Sequence, residues 1–360
     1  MKNLLNNLKK MKENSVLNYI MIGIMIIVSF LLFYLLYIGD FIFVPLVVSF
    51  FLFILFCGVY SFFQKYTKIK LVSVILTLGT FFSFFVIVGF IIITQVGSFI
   101  DNSGKIVQGF SKLLVSIEGI GSDFGIDLKD YLNLDYLRGL LTKINFSAIG
   151  KNVYSFTTGA ISLFLTILVL LFFMILERND FKKKIKYNFD SKITRKVQNI
   201  YEKVSSDLNL YFSTKFFLAL FNGVVATIIM SFFGLDFALT FGLIVFVMDF
   251  IPIVGALIAL GLPFLYSLVV FDSIWSSFLM LFSMYVPQIV TGNFVEPKIM
   301  GDRLNISYVV FVLALLFWTQ FWGIIGAFLA TPIMVTINII LSKFEATKFI
   351  SVLLSKDGGK

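Results

Sequence analysis

Long apolar runs follow one another along most of this chain, and they restrict its fold more than any other feature. The first run covers residues 19–38, and the second starts at residue 41, directly after a Gly-Asp pair. A helix needs roughly 20 apolar residues to cross a hydrocarbon core about 30 Å thick. Only 14% of the 360 residues are charged and 59% are hydrophobic, whereas soluble domains carry about 25% charged residues. We therefore predict an integral membrane protein.

The distribution of charge divides the chain into membrane-embedded and extramembrane segments. We predict a cytoplasmic N-terminus at 1–18, a three-span region at 19–99, an extracytoplasmic helical segment at 100–153, a fourth span at 154–176, a basic cytoplasmic segment at 177–211, a core region at 212–342 and a cytoplasmic C-terminus at 343–360. Lysine and arginine are concentrated in the segments placed inside, whereas six acids balance six bases in the extracytoplasmic segment, as the positive-inside rule requires. The net charge of +9 therefore indicates membrane orientation and contact with anionic lipids near residues 177–211, and not nucleic-acid binding.

The composition also limits the chemistry that the chain can perform. It contains no histidine and a single cysteine, Cys57, which excludes histidine-based catalysis, histidine metal ligation and a disulfide framework. The sequence has no Walker loop, no zinc motif and no pair of intramembrane aspartates. We predict that the protein is not an enzyme and that it has no catalytic residue, no metal site and no cofactor.

Two apolar runs, residues 237–271 and residues 306–342, are too long for one crossing. A continuous helix over the 35 residues of the first run would be about 52 Å long. Residues that disfavour a regular helix interrupt both runs, namely Pro252, Gly255, Gly323, Gly326 and Pro332. Irregular backbone at membrane depth is tolerated only where it is buried in protein or lines a water-filled cavity. We predict that each run forms a broken, re-entrant helical hairpin, and a tilted single crossing is the alternative.

The two broken runs resemble each other. Residues 250–259 align without a gap on residues 321–330, at an offset of 71, and five of the ten positions are identical. One span separates the runs, so the two hairpins would enter from opposite faces as a possible inverted repeat, a plan that is typical of secondary transporters. The predicted fold is an all-α polytopic membrane protein with about six full spans plus two broken hairpins, or seven to eight segments by simple hydropathy.

A few polar residues interrupt the apolar core region. Asp249 stands before the break of the first hairpin, and a charged residue at the centre of a membrane helix costs at least about 2.5–3.5 kcal/mol. We expect Asp249 to face a cavity or a partner and to take up a proton or cation, the alternative being a helix cap at the hairpin tip. The remaining candidate residues for transport and coupling are Glu296, Gln288, Asn293 and Gln320.

Some of these polar residues also have simpler explanations. Glu296 could pair with Lys298 or Arg303 as an interface anchor rather than act in a gate or coupling site. For Lys215 and Asn222 of the fifth span the choice is again between a structural role and a gate or coupling site. The structural alternative for Lys215 is that it extends its amine to the membrane surface.

Three blocks of the second half resemble the AI-2E (autoinducer-2 exporter) family of bacterial permeases. They are the "IPIVG" turn at 251–255, the block from Gln288 to the Glu-Pro-Lys at 296–298, and the two glycines at 323 and 326 followed by Pro332. The resemblance covers nearly the whole chain and implies a polytopic permease of seven or eight segments. One departure concerns Ser307 and Tyr308, which stand where the family often has a histidine–proline pair. No proton role of that histidine can be carried over to this chain.

The resemblance implies export of the quorum-sensing signal autoinducer-2 or Na+(Li+)/H+ antiport. We expect a secondary transporter that exports a small polar solute, coupled to an ion or a proton. The alternatives are Na+(Li+)/H+ antiport, a channel-like oligomer and, from another class, a non-transporting membrane scaffold. We expect a homo-oligomer in the bacterial cytoplasmic membrane, with both termini in the cytoplasm.

Overall fold

The computed structural model describes residues 20–21, 23–102, 104, 108–110, 112–113, 115, 146–188, 190–251, 254–301 and 306–356. Over these residues the chain is helical and has no strand, which confirms the predicted all-α class. The helices are α1 Gly23–Ile38, α2 Asp40–Thr67, α3 Lys70–Asp101, α4 Phe146–Asn188, α5 Ser191–Phe232, α6 Ala238–Met248, α7 Val254–Val270, α8 Ile274–Ile289, α9 Glu296–Met300, α10 Tyr308–Ser342 and α11 Glu345–Leu354. A π-helical turn, Val290–Val295, joins α8 to α9.

Six helical stretches among the described residues are long and apolar enough to cross a membrane. They are Asp40–Thr67, Lys70–Gln95, Gly159–Arg178, Ile193–Phe232, Ile274–Met300 and Tyr308–Ser342. The described part of α1, Gly23–Ile38, is shorter, at about 24 Å. The first 18 residues and most of the predicted extracytoplasmic segment lie outside the described residues.

The basic segment predicted at residues 177–211 is helical at every described position except Asp190. Helices α4 and α5 contain 43 and 42 residues. From the helical rise per residue, each is roughly 63 Å long and extends well beyond a hydrocarbon core about 30 Å thick. Lysine and arginine are good helix formers, so the change in charge near residue 177 ends the apolar span without ending the helix.

Helix α5 takes part in two separate hydrophobic cores. Near its middle, Phe212 packs against Phe51 of α2, with ring centroids 5.9 Å apart, in a core that also contains buried residues of α3, α4 and α10. Towards its C-terminus, Met230 is buried with residues of α6, α7 and α8 in a second core. The stretch of α5 between Phe212 and Met230 is therefore where the two cores meet.

Helices α6 and α7 form hairpin 1, which spans residues 238–270. Phe237 and Tyr266 lie near its two ends in sequence, yet their ring centroids are 5.8 Å apart. In a continuous helix they would be separated by about 43 Å. At the turn, a Cβ atom on Gly255 would collide with the main-chain carbonyl oxygen of Met248. The chain therefore reverses here, although Pro252 itself lies outside the described residues.

Helix α10 also reverses and forms hairpin 2, which spans residues 308–342. Gly323 has φ 60° and ψ −141°, a conformation that is open essentially only to glycine. Helix α11 contacts both limbs, because Ser351 donates to Asn338 at 2.6 Å and the N–H of Ser307 donates to Leu354 at 2.9 Å. A straight helix would hold residues 307 and 338 about 46 Å apart, so a single straight crossing is wrong for this run.

The two hairpins open at opposite ends of α5. Phe233, just after its C-terminus, stacks on Phe271 at the open end of hairpin 1, with ring centroids 6.5 Å apart. Near its N-terminus, Lys196 places its amine 4.0 Å from the ring centroid of Phe344, at the open end of hairpin 2. Since α5 is roughly 63 Å long, the hairpins enter the helical bundle from opposite ends, as the predicted inverted repeat requires.

We expect the two ends of each hairpin to react from one side of the membrane. In a Cys57→Ala background, Asp236→Cys and Asp272→Cys should react with an impermeant maleimide from one face, and Ser307→Cys and Lys343→Cys from the other. Labelling in vesicles of both orientations checks this, and reaction of one hairpin's two ends from different faces would contradict the arrangement.

Candidate functional site

Polar side chains meet at the tip of hairpin 1, where α5 passes from one hydrophobic core to the other. We call this set the polar cluster; its members are Lys215, Asn222, Asp249, Gln288, Thr291 and Glu296. They come from α5, from the hairpin tip and from the helix that runs through α8 and α9. Three elements distant in sequence are therefore joined by polar contacts within an apolar region.

The carboxylate of Asp249 accepts hydrogen bonds from two side-chain amides. Asn222 Nδ2 lies 3.3 Å from each carboxylate oxygen, and Gln288 Nε2 lies 2.6 Å from Oδ1. Asn222 Nδ2 also donates to the hydroxyl oxygen of Thr291 at 3.0 Å. Because Asp249 directly follows α6, these bonds tie the tip of hairpin 1 to α5 and α8.

Lys215 and Glu296 form an ion pair beside this carboxylate. Lys215 Nζ lies 2.8 Å from Glu296 Oε2, and the two side chains are 7% and 22% exposed. The same nitrogen donates to the main-chain carbonyl of Asp249 at 3.4 Å. Lys215 therefore points into the protein and does not extend to the membrane surface. Glu296 pairs across to α5 rather than with Lys298, which is exposed.

A π-helical turn brings Gln288 and Glu296 onto one face. Eight residues of regular α-helix rotate by about 800° and would place these side chains about 80° apart. The turn Val290–Val295 takes up an extra residue, so that the effective rotation is near two full turns. Thr291 lies within this turn and donates its hydroxyl towards the carbonyl of Pro287 at 2.9 Å. Single π-helical turns of this kind are frequent at functional sites.

Periodicity along α5 places Lys215 and Asn222 on the same face of the helix. Seven residues rotate a helix by about 700°, within about 20° of two full turns, so both side chains lie on one face. Tyr211, one turn before Lys215, is 2% exposed and continues the same polar face. The spacing of these polar residues in an apolar span is a sequence signal for the site, and our candidate set did not include Lys215 or Asn222.

The cluster carries a formal negative charge. It contains one ammonium, of Lys215, and two carboxylates, of Asp249 and Glu296, which sum to −1 when all three are ionised. An adjoining cavity of about 10 Å³ is lined in part by Asn222 and Gln288. That volume holds about one water molecule, so this conformation has room there for a water or a small ion.

The remaining sequence candidates have different surroundings. Asn293 and Gln320 are exposed, and their predicted place on a transport path stays a prediction. Gly326 and Pro332 are buried in hairpin 2, and Gly323 lies at its turn. Over the described residues there is no group of three or more Asp, Glu, His or Cys residues that could hold a metal ion.

Comparison with known proteins identifies the family to which this arrangement belongs. The sequence model of the family described as AI-2E family transporter matches residues 10–346. The chain belongs to the AI-2E transporter family. This match confirms the resemblance seen in the hairpin and Glu-Pro-Lys blocks.

The chain is also similar to several curated proteins, among them the following three. A Borreliella burgdorferi protein with a provisional transport assignment is 28% identical over 223 residues, which cover 60% of this chain and 61% of that protein. The AI-2 transport protein TqsA of Escherichia coli is 27% identical over 242 residues, or 66% of each chain. A sodium-lithium/proton antiporter of Halobacillus andaensis is 24% identical over 258 residues, or 68% of this chain and 72% of the antiporter. The chain therefore spans only 61% of the first of these relatives and 66% of the second.

Proposed function

We propose that this AI-2E protein is a secondary transporter that exports a small polar solute and couples export to a proton or a monovalent cation. The polar cluster is the observation that supports this proposal. It carries one more carboxylate than ammonium and lies at the tip of a broken hairpin. In transporters with discontinuous helices, such interrupted segments bind the substrate and the coupling ion near the bilayer midplane.

In the proposed mechanism, Asp249 binds the coupling ion. A proton or monovalent cation on its carboxylate would neutralise the excess negative charge of the cluster. It would also weaken the hydrogen bonds that Asn222 and Gln288 donate, because hydrogen bonds to a charged acceptor are roughly twice as strong as neutral ones. The tip of hairpin 1 would then be free to move away from α8. That movement would enlarge the water-sized cavity and admit a solute from one face only.

Na+(Li+)/H+ antiport is the second candidate function. The cavity of about 10 Å³ beside Asn222 and Gln288 is too small for an organic solute in this conformation, because it holds about one water molecule. The charge of −1 suits exchange of one monovalent cation for a proton. The relative from Halobacillus andaensis, named as a sodium-lithium/proton antiporter, supports the same candidate.

The membrane context follows from the surface of the chain. Large apolar side chains are exposed along the described part of α1, including Phe30 at 69%, which fits contact with lipid or with another protomer. We propose a homo-oligomer in the bacterial cytoplasmic membrane with both termini in the cytoplasm. In this orientation the basic ends of α4 and α5 lie near anionic headgroups.

We expect Asp249→Asn to reduce solute counterflow and sodium-dependent proton movement at least tenfold, because the amide cannot bind the coupling ion. Proteoliposomes loaded with autoinducer-2 or with Na+ and a pH-sensitive dye measure the two activities separately. Asp272→Asn is the matched control, since Asp272 is 96% exposed at the open end of the same hairpin and should retain wild-type rates.

The possible outcomes separate the candidate functions. Loss of autoinducer-2 counterflow alone supports export, and loss of sodium-dependent proton movement alone supports antiport. Wild-type rates in a correctly inserted Asp249→Asn protein would remove Asp249 from the mechanism. Absence of both activities in the wild-type protein, together with a requirement for the basic segment at 177–211, would favour the scaffold.

A further inference from the structure

Lys215 occupies a position that is suited to a metal cation. Lys215 is 5% exposed. Its amine lies 2.8 Å from Glu296 Oε2 and 3.4 Å from the main-chain carbonyl oxygen of Asp249. A carboxylate and a main-chain carbonyl are hard oxygen ligands, the kind that alkali and alkaline-earth cations prefer. The ammonium of Lys215 therefore occupies a position in which a metal cation could bind the same two oxygen atoms.

The surrounding backbone favours a cation at the same point. Helix α6 ends at Met248, and Asp249 is its C-terminal flanking residue. The last carbonyl groups of a helix have no partner within the helix and form the negative end of its dipole. In transporters with broken helices, carbonyls at such C-terminal ends coordinate sodium ions or protons. In this chain the carbonyls of Val247 and Met248 accept from the N–H groups of Phe250 and Ile251, and the carbonyl of Asp249 accepts from Lys215. Lys215 therefore lies where an ion at this helix end would contact the Asp249 carbonyl.

We propose that Lys215 is a tethered competitor for a sodium-ion site formed by the Glu296 carboxylate and the Asp249 carbonyl. Sodium binding displaces the ammonium from Glu296. The displaced amine has a second acceptor nearby, because it already contacts Asp249, whose carboxylate carries the remaining negative charge. With Na+ bound, the two carboxylates, the ammonium and the ion sum to zero, so binding removes the formal charge of −1.

This inference rests on the proposed ion coupling and divides it between two positions. Sodium binds at the Glu296 carboxylate and the Asp249 carbonyl, whereas the Asp249 carboxylate takes up a proton or accepts the displaced Lys215 amine. Because either the Lys215 amine or Na+ occupies the site, the Glu296 carboxylate never stays without a positive partner. The amine would hold the site while the carrier returns without sodium. Lys215 would thus act on coupling without touching the transported solute.

Binding of ²²Na+ to the purified full-length protein tests the site directly. We expect Lys215→Met to bind Na+ at least tenfold more tightly than the wild type, because the competitor is removed and both carboxylates stay. Adding Glu296→Met should abolish the gain. Lys343→Met, a change at an exposed lysine, should bind Na+ like the wild type. An unchanged affinity in folded Lys215→Met would overturn the proposal.

A second measurement uses the wild-type protein and does not depend on how well the variants fold. Acetylation of Lys215 by an amine-reactive reagent, followed by mass spectrometry, should be at least threefold faster in NaCl than in choline chloride. Exposed Lys343 and Lys298 serve as internal controls whose rates should not change. A Lys215 rate that is the same in both salts would overturn the proposal. If transport still requires Asp249 in that case, the proposed function stands with a different coupling position.

Discussion

Alanine at Gly255 or Gly326 is expected to destabilise the hairpin that contains it by roughly 3 kcal/mol, the upper end of typical overpacking costs. A Cβ atom at Gly255 would collide with the carbonyl oxygen of Met248, and one at Gly326 with that of Trp318. In both cases the obstacle is main chain at the hairpin turn, which cannot move aside as the end of a flexible side chain can. Relief would require the two limbs to separate.

Thermal unfolding in detergent or nanodiscs, with size-exclusion profiles of the same samples, measures this effect. Gly261→Ala is the matched control, because Gly261 also lies in α7 and a Cβ there meets no atom within 4 Å. Since alanine has the higher helix propensity by about 1 kcal/mol, the control should be as stable as the wild type or slightly more stable. If Gly326→Ala unfolds at the wild-type temperature, the close approach at the hairpin turn is absent.

The sequence predicted both hairpins because the determinants of the turns are local. The offset of 71 that aligns the two broken runs also relates the neighbours of the turn glycines. Ile251 Cβ lies 3.4 Å from the position of a Cβ on Gly255, and Trp322 Cβ lies 3.2 Å from that on Gly326. Residues 251 and 322 differ by 71, so the alignment pairs positions that have the same steric role.

The partners of the polar residues could not be predicted in the same way. Lys215 and Glu296 are 81 residues apart, and their contact depends on how α5 packs against the helix after α8. The contact also depends on the π-helical turn, which brings Glu296 onto the face of Gln288. Hydropathy shows that Lys215 lies within a span, but a long lysine in a span can reach either a buried carboxylate or the membrane surface.

The basic segment is a second feature that local patterns described only in part. Its charge predicts the end of the apolar span near residue 177, but α4 continues to Asn188 and α5 begins at Ser191. Lysine-rich sequence is compatible with both a helix and a loop, so composition alone does not distinguish them. The long helical extensions come from continuity with the spans rather than from any signal of their own.

Removing one member of the Lys215–Glu296 pair is expected to cost about 3–5 kcal/mol of unfolding free energy, because the remaining charge stays buried. Lys215→Met should cost more than Glu296→Met. Lys215 is the ammonium that balances two carboxylates in the cluster, whereas after loss of Glu296 it can still contact Asp249. Lys112→Met is the control, since Lys112 and Asp272 are 77% and 96% exposed, and exposed pairs contribute little.

The double variant Lys215→Met/Glu296→Met tests whether the two residues act as a pair. Replacing both partners of a buried ion pair by apolar side chains of similar volume is often neutral or stabilising, so the double variant should be more stable than Lys215→Met alone. Denaturant unfolding should be measured in choline buffer, because Na+ at the vacated site would stabilise Lys215→Met by mass action. Costs that simply add in the double variant would mean that Lys215 and Glu296 are not coupled. A rescue of Lys215→Met by Na+ that requires Glu296 would link the stability of the pair to its role as a cation site.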